Sequence, residues 1–246
     1  MVSFAAEPIA YIGNFPLTNT ILHTLVVDAL LIGGSIFISK NISQIPAFFQ
    51  NAAEALIELF YNMTESIAPG RAIKIFPYFI TFFLFIITAN WSGLIPGVGS
   101  IGFFHNGELI PILRSATTDL NTTFALALVS AFATHLLSIQ SLGIKQYIGR
   151  YLSLNPVNLY VGLLEVVSEI TKIISLSFRL FGNIFAGEIV LLTISALFAF
   201  LFPVPFLLLE FIVGFVQALV FAMLTMVFMA ILTTPHHETA REVNHS

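Results

Sequence analysis

Apolar positions along this chain come in long unbroken runs, not in the short alternations of a water-soluble sheet. Five runs stand out, at about 17–39, 76–96, 120–143, 157–195 and 205–234. Each reaches or exceeds the ~20 apolar residues needed to cross a bilayer. In hydrocarbon the backbone has no water to bond, so each run predicts a helix that satisfies its own N–H and C=O groups. Turn-forming residues separate them: Pro96-Gly97 opens a loop holding Gly102, Gly107 and Pro111, and Asn155-Pro156 and Pro203-Val204-Pro205 break the chain later.

Residues 44–68 follow a different rhythm. Gln50, Glu54, Glu58, Asn62 and Glu65 recur every three or four positions among Phe, Leu, Ile, Ala and Tyr. That spacing predicts an amphipathic helix, lying at the membrane interface or covering another subunit.

The last two runs are too long for simple crossings. As one helix, 157–195 would extend roughly 57 Å at 1.5 Å per residue. The hydrocarbon core is about 30 Å thick, so tilt alone would have to reach roughly 55–60°, beyond the usual range. No proline interrupts 157–202 or 206–234. The pattern predicts a hairpin of two strongly tilted or curved helices; a break near Gly182 or Gly187 is the alternative. The fold class is thus an all-α integral membrane protein, about five crossing helices plus one amphipathic helix. One transmembrane domain spans 1–246: an outer segment 1–16, a span 17–39, the amphipathic helix 44–68, a helical hairpin 76–143, the long hairpin 157–234 and an inner polar tail 235–246.

Composition agrees with the pattern. Apolar residues make up 57% of the 246 and charged residues only 9%, against about 25% charged in soluble domains. With 9 Lys+Arg against 13 Asp+Glu there is no basic field for nucleic acid. The cysteine count of 0 excludes disulfides and thiolate metal sites, and the sequence calls for no cofactor and no metal. Residues 1–16 hold no Lys or Arg, so the first run reads as a retained span and not a cleaved signal.

Five crossings put the termini on opposite sides. Lys40, Arg71, Lys74, Lys145, Arg150 and Arg241 then share one side, and Arg114 faces the other. By the positive-inside rule the C-terminus is cytoplasmic and the N-terminus outside.

Charge also occurs where lipid should forbid it. Glu165, Glu169, Lys172, Arg179, Glu188 and Glu210 all lie in the long hairpin, with Gln217 as an uncharged companion. A charge at mid-membrane costs at least about 2.5–3.5 kcal/mol, so such groups face protein or water. A buried salt bridge between helices is the plainer explanation; function is the stronger one. At 100° per residue, Glu165, Ser168, Lys172, Ser175 and Arg179 form one stripe climbing roughly 21 Å. Beyond Arg179 that face turns small, with Gly182, Asn183 and Ala186. Glu188 lies nine residues on, half a turn around the helix. On the other long helix Glu210 and Gln217 are seven apart and share a face; antiparallel packing sets Glu210 beside Glu188, and Gln217 deeper. The pattern is a pair of offset half-paths separated by a fixed cation, which need a mobile carrier between them.

At these residues the sequence resembles subunit a of the F-type ATP synthase. SFRLFGNIFAGEIV at 177–190 resembles the family's arginine segment closely. ANWSGLIPG at 89–97, TTDLNTTFALAL at 117–128, NPVNLYVGLLEVVSEITKIISLSFRLFGN at 155–183 and FVQALVFAMLTMVF at 215–228 follow in the family's order. The resemblance implies a stator subunit against a rotating ring of c-subunits, held by peripheral-stalk b subunits in an energy-coupling membrane, most simply a bacterial inner membrane. By motif, Arg179 matches the arginine that meets the ring carboxylate. Glu188 and Glu210 match the outer half-channel acids, with a carboxylate at 210 where some relatives carry histidine, and Gln217 matches the glutamine near the arginine. Asn183 and Asp119, with Asn121, fit the outer path and its entrance. Glu165, Ser168, Lys172 and Ser175 fit the inner half-channel.

The remaining polar residues have plainer readings. His23, Asp28 and His135 lie within spans and read as satisfied buried groups before proton relays. His236, His237 and His245 belong to a solvated tail. Trp91 sits where interface anchors sit, and Gly182 and Gly187 would let a helix approach closely. A secondary transporter should show internal repeats, and none is evident. A haem or quinone subunit needs histidines paired across spans, and His23 and His135 are isolated.

Overall fold

The computed structural model describes residues 8–13, 15–44, 48–95, 102–105, 108–151, 156–197 and 203–234. The first residues, Pro96-Gly97, Gly107, Asn155 and the polar tail 235–246 with Arg241 and its histidines lie outside the described residues.

Seven α-helices carry the described chain: α1 Asn19–Lys40, α2 Phe48–Ile67, α3 Ala72–Gly93, α4 Leu120–Leu142, α5 Ile144–Tyr151, α6 Pro156–Leu197 and α7 Pro203–Thr233. Five of them (α1, α3, α4, α6 and α7) are long and apolar enough to cross a membrane. They match the five runs within a few residues, and α2 occupies the amphipathic segment. The largest shift is at α3, which begins at Ala72 where the run begins at 76, so that Pro77 lies inside the helix. There it lacks the N–H that would bond the carbonyl four residues back, and α3 loses one backbone hydrogen bond.

Both long helices are continuous. The 42 residues of α6 extend roughly 63 Å and the 31 of α7 roughly 46 Å. No break occurs at Gly182 or Gly187, where the apolar pattern runs on without a capping residue.

Two antiparallel hairpins are additions that the helix reading omitted. β1 Pro8–Ile12 pairs with β2 Phe15–Thr18, and β3 Gly102–His105 with β4 Glu108–Pro111. Gly13 takes φ +64° between the first pair. In the second, His105 opposes Glu108, and the intervening Asn-Gly is a strong short-range hairpin signal. β2 runs straight into α1, and Asn19 Nδ2 donates to the carbonyl of Pro111, so both hairpins cap one end of the bundle. This is the hairpin end. At the opposite end α4 stops at Gly143, φ +81°, and α5 turns off.

α7 is the central helix, packed against α3, α4 and α6, whereas α1 is peripheral. Phe79, Phe83, Ile86, Leu180, Phe221, Met226 and Met229 fill the core. Hydroxyls stitch the helices at depth: Ser130 Oγ and Thr225 Oγ1 are 2.7 Å apart, and Ser138 Oγ donates to the Leu232 carbonyl at 2.7 Å. Lipid is as apolar as the helices, so such packing and hydrogen bonds, each about 0.6 kcal/mol, supply the cohesion. Trp91 is part of this network and not a free interface anchor. Its Nε1 donates to the Phe211 carbonyl at 3.1 Å and its ring stacks on Phe211.

Candidate functional site

Arg179 lies near the middle of α6 on a face that the rest of the chain leaves open. It is exposed, as are Ser168, Ser175, Phe178, Asn183 and Ala186 on that side. Among the described residues its one polar partner is Ser175 Oγ, at 3.4 Å. The neighbouring face of the helix turns inward through Leu176, Leu180 and Ile184, all buried. α6 is therefore a core helix on one side and a bare face with a central cation on the other.

One turn past Arg179, Asn183 Nδ2 donates to Gln217 Oε1 at 2.7 Å. This bond joins α6 to α7 and sets Gln217 at the depth that the antiparallel argument gives it. Gln217 and Glu210 are both buried, at 4% and 7% exposure, on one face of α7. The Glu210 carboxylate lies over Gly187, so that a methyl group at 187 would overlap it. Gly187 thus permits the close approach expected of it; at Gly182 nothing among the described residues lies within reach of a Cβ.

Glu188 follows Gly187 at this end. It also faces Arg114, whose Nη2 is 3.7 Å from Glu188 Oε2. Sequence reasoning left Arg114 as the odd cation of the topology count. The loop that returns it to α6 has no periodicity that would have shown the contact. Asp119, at the same end, is buried and caps α4 by accepting from the Asn121 amide at 3.0 Å. Thr20 Oγ1 and Asn121 Nδ2 also donate to it, at 3.3 and 3.2 Å. His23 is held beside it, with Nδ1 accepting from the Ala116 amide at 3.2 Å and Nε2 2.9 Å from Ser92 Oγ. A ring nitrogen that accepts an amide proton carries none, so His23 is a satisfied neutral imidazole. Asp28 is half-buried in α1 and is not drawn into either cluster.

The expected inner stripe divides between two directions. Ser168 and Ser175 stay on the open face with Arg179. Glu165 and Lys172 are engaged inside the bundle. Glu165 Oε1 accepts from Arg150 of α5, from Nη2 at 2.5 Å and Nε at 2.6 Å. Lys172 Nζ donates to Glu169 Oε1 at 2.8 Å and lies 4.5 Å from the Phe228 ring centre. His135 Nε2 is 3.8 Å from Glu169 Oε2, and His135 Nδ1 is 3.0 Å from the Tyr147 hydroxyl. Burial pushes the Tyr151 hydroxyl above its ordinary range, so it stays protonated beside Tyr147. The Arg150 and Tyr147 contacts depend on α5, whose apolar spacing at 144, 147, 148 and 151 was its only signal in the sequence; His135 and Glu169 meet directly between α4 and α6.

The arrangement can separate charge but offers no nucleophile with its base. No cluster of metal-ligating side chains occurs among the described residues. A helical membrane protein with acids toward both ends of α6, another near the start of α7 and a fixed cation between them defines a class: a membrane subunit that handles ions.

Comparison with known proteins gives the family. The model of the ATP synthase A chain matches residues 21–230. The chain is 32% identical over 222 residues to the ATP synthase subunit a of Moorella thermoacetica, covering 90% of this chain and 94% of the relative. It is 33% identical over 227 residues to the ATP synthase subunit a 2 of Pelobacter propionicus, covering 91% and 90%. The chain belongs to the ATP synthase A chain family. It is a non-catalytic membrane subunit of the F-type ATP synthase, and its role is proton translocation.

Proposed function

We propose that the chain moves protons through two offset half-channels that meet at Arg179 against a rotating c-subunit ring. The exposed guanidinium is the observation that carries this reading. A cation midway along a ~63 Å helix cannot face hydrocarbon, so an acidic partner surface covers it. Ring carboxylates supply that surface. Each is neutral while it faces lipid and an anion while it faces Arg179. Arg179 does not itself carry the proton, because a guanidinium stays protonated. It blocks a direct leak and releases the ring proton to one side.

The hairpin end is the outer side by the positive-inside rule, with the N-terminus outside and the C-terminus in the cytoplasm of a bacterial cell. Glu188, Glu210, Gln217 and Asn183 line the outer path, and Asp119 with Asn121 stand at its entrance. Glu165, Ser168, Lys172 and Ser175 line the inner path. Peripheral-stalk b subunits cover the exposed parts of α1 and α2.

Arg179→Ala in the assembled complex should abolish gradient-driven ATP synthesis in energised vesicles. Arg179→Lys should rescue it poorly, lacking the planar fork. Normal synthesis by Arg179→Ala would overturn the mechanism.

A further inference from the structure

The α5 end holds a polar cluster that meets the inner stripe only at Lys172. It begins at the Tyr147 hydroxyl, 3.0 Å from His135 Nδ1. It continues through His135 Nε2 to Glu169 Oε2 at 3.8 Å, and through Glu169 Oε1 to Lys172 at 2.8 Å. Beyond Glu169 and Lys172 lies a small cavity between α4, α6 and α7. Ser130, Thr134, Ile173, Leu176 and Phe228 complete its wall, and it has room for about one water.

Three features set this cluster apart from a plain structural contact. The imidazole has a polar neighbour on each nitrogen and is exposed by 28%, so it stands between the surface and the cavity. Glu169 keeps one oxygen on Lys172 and turns the other to the histidine. Glu165, the acid at the inner end of the stripe, is held by Arg150 through two nitrogens and is poorly placed to exchange protons. Among the described residues, the titratable and charged groups that α4, α5 and α6 bring to this end are His135 on α4, Lys145, Tyr147, Arg150 and Tyr151 on α5, and Tyr160, Glu165, Glu169 and Lys172 on α6; the wall that α7 contributes is Phe228.

We infer that Tyr147, His135 and Glu169 form a proton relay serving the inner half-channel. This rests on the reading that the inner path runs along α6. A proton entering from the inner side reaches Nδ1 through the Tyr147 hydroxyl, which passes one proton on and takes one up. Nε2 gives its own proton to Glu169 through one bridging water across the 3.8 Å gap, and the ring returns to its starting tautomer by turning over or by back-transfer through water. Glu169 delivers the proton to the cavity, from which Ser175 and the ring carboxylate lie further along α6. The sequence runs backward for protons leaving inward. Tyr147 and His135 are positioned for this by α5 and α4, and Lys172 fixes the carboxylate.

The test uses the whole complex reconstituted in vesicles. ATP-driven pumping is followed at controlled pH on the inner-path side, with assembly checked by subunit content. His135→Gln keeps a hydrogen bond to Tyr147 but cannot relay; it should slow pumping about tenfold. Tyr147→Phe and Glu169→Gln should slow pumping in the same assembled complex. Arg179→Ala measured alongside should stop it. Pumping by His135→Gln at the wild-type rate, with an inactive Arg179→Ala, overturns the relay and leaves the half-channels standing. Normal pumping by Arg179→Ala overturns the half-channels and the relay together.

Discussion

Single side chains at the α6–α7 contact carry the sharpest consequences. Gly187 has no Cβ, and the Glu210 carboxylate occupies the space a methyl group would take. Because that carboxylate is the mobile end of its side chain, Gly187→Ala should displace it and leave the helix packing intact. Proton flux should fall roughly tenfold or more with assembly unchanged, since a 1 Å misplacement can cost about 10²-fold. Loss of assembly along with flux would show that the glycine serves packing instead. Glu210 lies against Gly187, the residue before Glu188, at the same contact. The single variants Glu188→Gln and Glu210→Gln should each slow flux, and the double variant should be non-additive. Losses that simply multiply would separate the two acids into different paths. Arg114 faces Glu188 from the loop before α4, an ion pair between residues 74 positions apart that no spacing rule could bring together.

The helices set the two directions of access. On α6 the open face carries Ser168, Ser175 and Arg179, while Glu188 points to the contact with α7 and Arg114. Single cysteines at Glu165, Ser168, Lys172 and Ser175 should therefore react with an impermeant thiol reagent from the inner side. Cysteines at Glu188 and Glu210 should react only from the outer side. The chain contributes no native cysteine to the background. Free labelling of Ser175 and Glu188 positions from both sides would mean a continuous pore. Within the inner set, Glu165 should label slowest, because Arg150 holds that position against α5.

At the scale of the whole molecule, the five crossings run antiparallel and set the two hairpins and α5 at opposite ends. Lys40, Lys74 and Lys145 then share the α5 end. An impermeant amine reagent should modify them from the cytoplasmic side of oriented vesicles and leave them untouched from outside. The reverse pattern would invert the topology. The face around Arg179 and the apolar surface of α1 are the parts of the chain left most open, and these are where partners and lipid complete the structure.

The amino-acid sequence determined by itself that the chain lives in a membrane, where its five crossings lie and that the last two are overlong, because hydrophobic length and backbone satisfaction are local properties. It also marked Arg179, Glu188, Glu210 and Gln217, since charge inside an apolar run is visible one residue at a time. The helical period set Glu210 and Gln217 on one face and brought Gln217 near the level of Arg179, one turn from Asn183, where the 2.7 Å bond is found. Only the tertiary structure decided which charges meet. The five-residue stripe on α6 divides because α5 folds back with Arg150 to hold Glu165, and because Glu169, one residue off the stripe, draws Lys172 inward. His135 and Glu169 are 34 positions apart, and Arg114 and Glu188 are 74. Such encounters depend on how loops return helices to one another, and a helix's own periodicity holds no information about its neighbours.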